Sequence, residues 1–175
     1  MIVLTSLPRN KDHFNRLAAF VREILVYCKD LGIAPVLDGS LAVFAYTQDP
    51  DMDVNDVDLS CPEAEFPRLI QALEARGIGH KLREWHVLQI TRGDLRIELG
   101  SQEYWLKDLP IDLDTLQMDG YEMKVLSLRS LKEYYKRGMD DRAKQNTAND
   151  RIKYERLKVK YEALGQVDSH SINSD

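Results

Sequence analysis

The stretch that decides the fold reads Val36-Leu37-Asp38-Gly39-Ser40, then a short apolar run Leu41–Tyr46, a polar loop, and Asn55-Asp56-Val57-Asp58-Leu59. Apolar residues running into Gly-Ser have the form of a buried strand that turns into a helix. Such a turn offers free backbone N–H groups and a partial positive charge, which suits a phosphate. Gly39 lets the backbone approach a ligand closely, and Ser40 adds a hydroxyl donor. The same residues also suit a plain strand–helix turn with Ser40 as its cap.

Asp56 and Asp58 alternate with Val57 and Leu59, the pattern of a half-buried strand. On one strand face the two carboxylates stand about 7 Å apart along the chain. They repel unless a cation lies between them. A hard dication with oxygen ligands relieves that repulsion, and Mg²⁺ also bridges to phosphate oxygens. Downstream, Leu95-Arg96-Ile97-Glu98-Leu99 repeats the alternation, so Glu98 points away from the core as the aspartates do. If the two strands are neighbours, Asp56, Asp58 and Glu98 share a face. Two Mg²⁺ ions held there could position a triphosphate and activate a hydroxyl. An acidic pair alone is equally a solvated strand face; the third acid and the upstream Gly-Ser turn it into a candidate site.

Around this centre the periodicities predict helices over 10–30, 41–46 and 63–76. They predict strands at 34–37 and around Val57–Leu59. A hairpin over 85–99 turns at Arg92-Gly93-Asp94, and another over 115–125 turns at Asp119-Gly120. Ser127 is a candidate N-cap for a helix through Arg137, and a long basic amphipathic helix is expected over 141–164. Residues 165–175 are polar and read as a disordered tail. The expected layout is therefore a core over 1–126, a C-terminal helical segment over 127–164, and the tail.

Length and composition fit one globular domain: 175 residues, 43% hydrophobic and 30% charged. No apolar run is long enough to span a bilayer, and residues 1–12 do not read as a secretory signal. Cys28 and Cys61 form no metal-binding spacing, so free thiols in the cytoplasm are expected. His13, His80, His86 and His170 show no ligand spacing either. Asp49, Asp51, Asp53 and Asn55 alternate like a calcium loop but lack its glycine and its twelfth-position Glu.

The net charge of −5 is unevenly spread: residues 122–160 hold twelve Lys and Arg against six Asp and Glu, leaving twelve against twenty-three elsewhere. That basic segment either meets phosphates or RNA, or pairs with the acidic body. Lys132, Tyr134, Tyr135, Lys136 and Arg137 cluster in it, suited to stacking a base and holding phosphate or to packing the helix on the sheet.

Taken together, Leu37, Asp38, Gly39, Ser40, then Asp56-Val57-Asp58-Leu59, with Glu98 on a later strand, resemble the nucleotidyltransferase superfamily. That superfamily includes DNA polymerase β, aminoglycoside and lincosamide nucleotidyltransferases, and small bacterial toxin–antitoxin enzymes. The resemblance covers roughly residues 34–137, with Lys124-Val125-Leu126-Ser127-Leu128 similar to the stretch that leaves the core. There are two departures: Asp38 stands before Gly39, and the gap from Ser40 to Asp56 is a few residues long.

The resemblance implies an α/β (α+β) fold, a mixed β-sheet with flanking helices and C-terminal helices. It implies transfer of a nucleoside monophosphate from an NTP such as ATP to a hydroxyl acceptor, RNA or protein, with pyrophosphate released. Asp56, Asp58 and Glu98 would bind the metal and carry the catalysis. Gly39, Ser40 and Lys132 would bind the nucleotide. The alternative on the same fold is a non-catalytic nucleotide-binding or interaction module, for example a toxin–antitoxin component.

Overall fold

The computed structural model describes residues 1–140 and 147–171. The elements follow as β1 (Ile2–Val3), α1 (Lys11–Asp30), β2 (Val36–Asp38), α2 (Gly39–Thr47), β3 (Val57–Cys61), α3 (Phe66–Glu74), β4 (Gly79–Arg83), β5 (Val87–Arg92), β6 (Leu95–Ser101), α4 (Gln102–Trp105), β7 (Leu113–Met118), β8 (Tyr121–Leu126), α5 (Leu128–Asp140) and α6 (Thr147–Ser171). The strands form one mixed sheet in the order β1-β7-β8-β2-β3-β6-β5-β4. Strand β2 runs parallel to β8 and antiparallel to β3, and β3 runs parallel to β6. The expected α/β architecture is therefore present, with β2, β3 and β6 side by side at its centre.

The helical spacing of Phe14, Leu17, Val21, Ile24, Leu25 and Cys28 gives α1 a fully buried stripe, the face by which it packs on β6 and α3. Its end is set by Gly32 in the left-handed region at φ 71°, with the Ile33 N–H returning to the Cys28 carbonyl at 2.8 Å. This is the geometry of a glycine stop. Asn10 clamps the loop before β3, donating to the Val54 carbonyl at 2.9 Å and accepting from the Val54 N–H at 3.1 Å. The Tyr46 hydroxyl lies 2.6 Å from Asp114 Oδ2 and 3.0 Å from the Leu126 carbonyl, tying α2 to the β7–β8 hairpin. Helix α6 packs on α5 and reaches across to α2.

Several boundaries differ from the sequence reading. Strand β4 was not expected: it is an edge strand with four exposed residues, so it carries no buried periodicity to read. Trp85 and His86 lie in the β4–β5 turn rather than in a strand. Residues 63–65 form a 3₁₀ turn ahead of α3. Helix α6 continues to Ser171 where a disordered tail was expected from Gly165, while 141–146, the expected start of that helix, lie outside the described residues. Ser127 does cap α5, its hydroxyl accepting from the Ser130 N–H at 3.1 Å. Both cysteines are free and buried, and burial pushes each thiol up to about 12. No helix among the described residues is long and apolar enough to cross a membrane.

Candidate active site

The register of the central strands builds the site. Asp38 on β2 stands opposite Asp58 on β3. Asp58 in turn stands opposite Glu98 on β6, and Glu98 opposite Gln89 on β5. Adjacent strands lie about 4.8 Å apart, so three carboxylates form a row across three strands. The intervening Val57, Leu59, Ile97 and Leu99 are buried in the core, as the alternation requires.

Gly39, the first residue of α2, has φ 68°, and Asp58 packs directly against it. A Cβ at Gly39 would fall 1.9 Å from Asp58 Oδ2 and 2.5 Å from Asp58 Cβ. Glycine is therefore required twice, by the backbone angle and by the carboxylate's place. Ser40 sits half-buried in the first turn of α2.

Asp38, Asp58, Glu98, Val87, Gly100, Trp105 and Tyr134 line a cavity of about 110 Å³. A larger hollow, about 940 Å³, lies elsewhere, between residues 4–7, α1 and the β7–β8 turn, and none of the row's carboxylates lines it. Asp58 keeps part of its surface at the cavity, yet its carboxyl is held well above the usual carboxylate range. Burial is the first cause, followed by the negative charges of Asp56 and Asp38, with Glu98 adding to them. Lys153 of α6 opposes the shift. Gln89 Nε2 donates to Glu98 Oε1 at 3.3 Å. Burial and the charges of Asp38 and Asp58 also hold the Tyr134 phenol well above its ordinary range, so it faces the cavity as a protonated hydroxyl.

The structure brings Asp58 and Glu98 together as expected and adds Asp38 to them. Asp56 precedes β3 and is bound by Arg96, whose Nε lies 3.6 Å from Glu98 Oε1. Lys132 does not line the cavity; its ammonium lies 4.4 Å from the centre of the Tyr161 ring on α6. Asp38, Trp105 and Lys153 were not placed at the site from sequence, and Tyr134 entered only as one of a helix cluster suited to stacking a base or to packing. For Asp38 the signal was available: alternation counted from buried Leu37 puts it on the face that Asp58 shares. Its side chain does not cap α2, so it joins the acidic row and leaves the helix N–H groups to other partners.

Part of the basic C-terminal segment meets the body, while Lys136, Arg151 and Lys158 are exposed. Arg156 pairs with Asp49 at 3.3 Å, Arg137 donates to the Trp105 and Lys107 carbonyls, and Lys153 lies 5.2 Å from the centre of the Tyr135 ring. Arg142 and Lys144 lie outside the described residues.

No protein-family model matches the sequence, and no curated protein matches it. Solved structures do. ANT(2'')-Ia in complex with adenylyl-2''-tobramycin superposes with a TM-score of 0.63 at 13% identity, covering 84% of this chain and 90% of that one. The chain has the nucleotidyltransferase fold. The lincosamide antibiotic adenylyltransferase LnuA, solved with lincomycin bound, gives 0.53 at 13% identity over 79% of this chain and 94% of that one. A nucleotidyltransferase-like protein from Paracoccidioides brasiliensis gives 0.57 at 16% identity over 86% and 78%. On this fold the row Asp38-Asp58-Glu98 crosses the central strands beside the glycine turn that opens α2.

Proposed function

We propose that the chain is a Mg²⁺-dependent nucleotidyltransferase, moving a nucleoside monophosphate from an NTP to an acceptor hydroxyl with release of pyrophosphate. The observation that carries this reading is the in-register carboxylate row pressed against Gly39 on a nucleotidyltransferase fold. The donor set consists of carboxylate oxygens and fits a hard dication. Burial raises Asp58 first, and the repulsion from Asp56 and Asp38 that adds to it is what such an ion would relieve. Among the described residues no three acidic, His or Cys side chains stand ready-placed to hold a metal, and Arg96 occupies Asp56. Binding therefore has to draw Asp56 away from Arg96.

Asp56, Asp58 and Glu98 would hold the metal, two ions in the full site. When bound, Mg²⁺ supplies charge neutralisation on the phosphates and a lowered pKa for the attacking hydroxyl. The chain's own groups do the rest. The α2 N-terminus, through Gly39 and Ser40, offers N–H and hydroxyl donors to the β- and γ-phosphates. The acceptor oxygen bonds to the α-phosphorus as the bond to the β-phosphate bridging oxygen breaks, and pyrophosphate leaves. Glu98, oriented by Gln89, takes the acceptor's proton. The free buried thiols support a reducing compartment, such as the cytoplasm, as the enzyme's location.

Calorimetric titration with ATP and the other NTPs tests the reading: binding is expected with Mg²⁺ and lost with EDTA. Binding that ignores Mg²⁺ would contradict it. Arg96 gives a second test. In Arg96→Gln the competing cation at Asp56 is gone, so the apo chain binds Mn²⁺ more tightly, by about tenfold if one charged contact worth about 1.4 kcal/mol is released. Electron paramagnetic resonance of free Mn²⁺ reads this directly. Weaker Mn²⁺ binding in the variant would make Arg96 a support of the site instead of a competitor.

A further inference from the structure

The chain contains two tryptophans, and both stand at one end of the carboxylate row. Trp105 lines the cavity with Asp58 and Glu98. Its indole lies on the bare backbone of Gly100, where a Cβ would come within 2.8 Å of Trp105 Cδ1. Gly100 is opposite Val87 on β5, and Val87, also lining the cavity, follows directly on the turn that carries Trp85 and His86.

That turn is held in an unfavourable shape. Trp85 and His86 both lie in the left-handed region, at φ 66° and 59°, where tight hairpins select glycine or asparagine. Four contacts pin it. Trp105 Nε1 donates to the Trp85 carbonyl at 2.9 Å, and the Ser101 N–H donates to the His86 carbonyl at 2.9 Å. The His86 ring meets Glu63 at 2.9 Å and stacks on Tyr104 with centroids 4.6 Å apart. The result presents the Trp85 indole to solvent, 64% exposed. Backbone strain that holds a large aromatic side chain in water beside a site points to a ligand.

The register says which ligand. Helix α2 opens from the β2 end of the row, so the phosphate-binding turn lies beside Asp38. Trp105 and the Trp85 turn lie past Glu98 and Gly100, on the other side. In displacement at phosphorus the entering and leaving oxygens are roughly in line. With pyrophosphate leaving toward α2, the acceptor enters past Glu98, across the tryptophans. We propose that Trp85 and Trp105 form the acceptor subsite and that it takes a small ring-bearing alcohol, stacked by its flat face on indole. This rests on the nucleotidyl-transfer reading. A single-stranded nucleic acid would need a basic groove along its backbone. Arg137 is held on the Trp105 and Lys107 carbonyls and Lys132 on Tyr161. The exposed cations beside the tryptophans are Lys81 and Arg83 of β4, in register with Gln89 and Val87, and Lys107, fewer than such a groove needs.

The test uses the full chain, tryptophan emission, and two probes, phenyl β-glucoside and an oligoadenylate. Phenyl β-glucoside is expected to change the emission saturably. Trp85→Gly removes the platform and also relieves the positive φ. The variant should therefore melt no lower than the wild type, keep Mg²⁺-dependent NTP binding, and bind phenyl β-glucoside about tenfold more weakly, as loss of a stacking contact predicts. Trp105 remains as the reporter. No response of the wild type to phenyl β-glucoside overturns the proposal, as does equal binding by Trp85→Gly. Trp85-dependent binding of the oligoadenylate alone also overturns it, in favour of a nucleic-acid acceptor. Failure of the wild type to bind NTP would instead strike the nucleotidyl-transfer reading, and it is read separately.

Discussion

Asp58→Asn leaves the chain folded and at least as stable at neutral pH, while nucleotidyl transfer falls by roughly 10²- to 10³-fold, the scale for removing one preorganised electrostatic contact. Asp58 sits at the middle of the row, opposite Asp38 on one side and Glu98 on the other, so no other carboxylate can take its place. The stability half follows from linkage. Burial and neighbouring acids raise the folded-state pKa of Asp58 above its ordinary value. The stability tied to its protonated form is then fully present below the unfolded pKa of about 3.9 and is lost as pH rises through the folded value. Asparagine carries no charge at any pH. Urea midpoints of the two proteins should therefore converge in acid and separate toward neutrality, with the variant higher. A variant less stable than the wild type at neutral pH would make Asp58 a structural residue rather than a strained functional one.

Gly39→Ala is the second large effect. The new methyl meets Asp58 Oδ2 at 1.9 Å and Asp58 Cβ at 2.5 Å, on a residue with φ 68°. A side chain at positive φ costs about 1–3 kcal/mol, and overpacking costs a further 1–3 kcal/mol or so. In a chain of this size that lowers the thermal midpoint by on the order of 10 °C. Whatever the backbone does to escape the clash, Asp58 must shift, so transfer falls even at temperatures where the variant is folded. Differential scanning fluorimetry beside a transfer assay separates the two. Full activity in a folded Gly39→Ala would show that the contact between Gly39 and Asp58 has no part in the chemistry.

Much of this site was legible because a strand writes its faces into the sequence with a period of two. Val57 and Leu59 on β3, and Ile97 and Leu99 on β6, fixed which way Asp58 and Glu98 point. The turns were legible for the same local reason: Asp119 and Gly120 adopt the positive φ values their types favour. What could not be read was pairing between strands far apart in the chain. That Asp56 meets Arg96 depends on the parallel register of β3 with β6, which neither strand encodes alone. The charge of Lys153 acts on Asp58 only because α6 folds back over α2 and α5. The Trp85 turn was misread because Trp is a residue a strand would favour and neither Trp85 nor His86 is a usual turn residue.

The central claim is that the chain transfers a nucleotidyl group, and comparing the positions of a radiolabel tests it most directly. With Mg²⁺ and phenyl β-glucoside as acceptor, label from an α-labelled NTP should pass to the acceptor. Label from a γ-labelled NTP should appear as pyrophosphate. Transfer of the γ-label to the acceptor would contradict the account and make the chain a phosphotransferase; NTP turnover that survives Asp58→Asn would place the chemistry away from the carboxylate row.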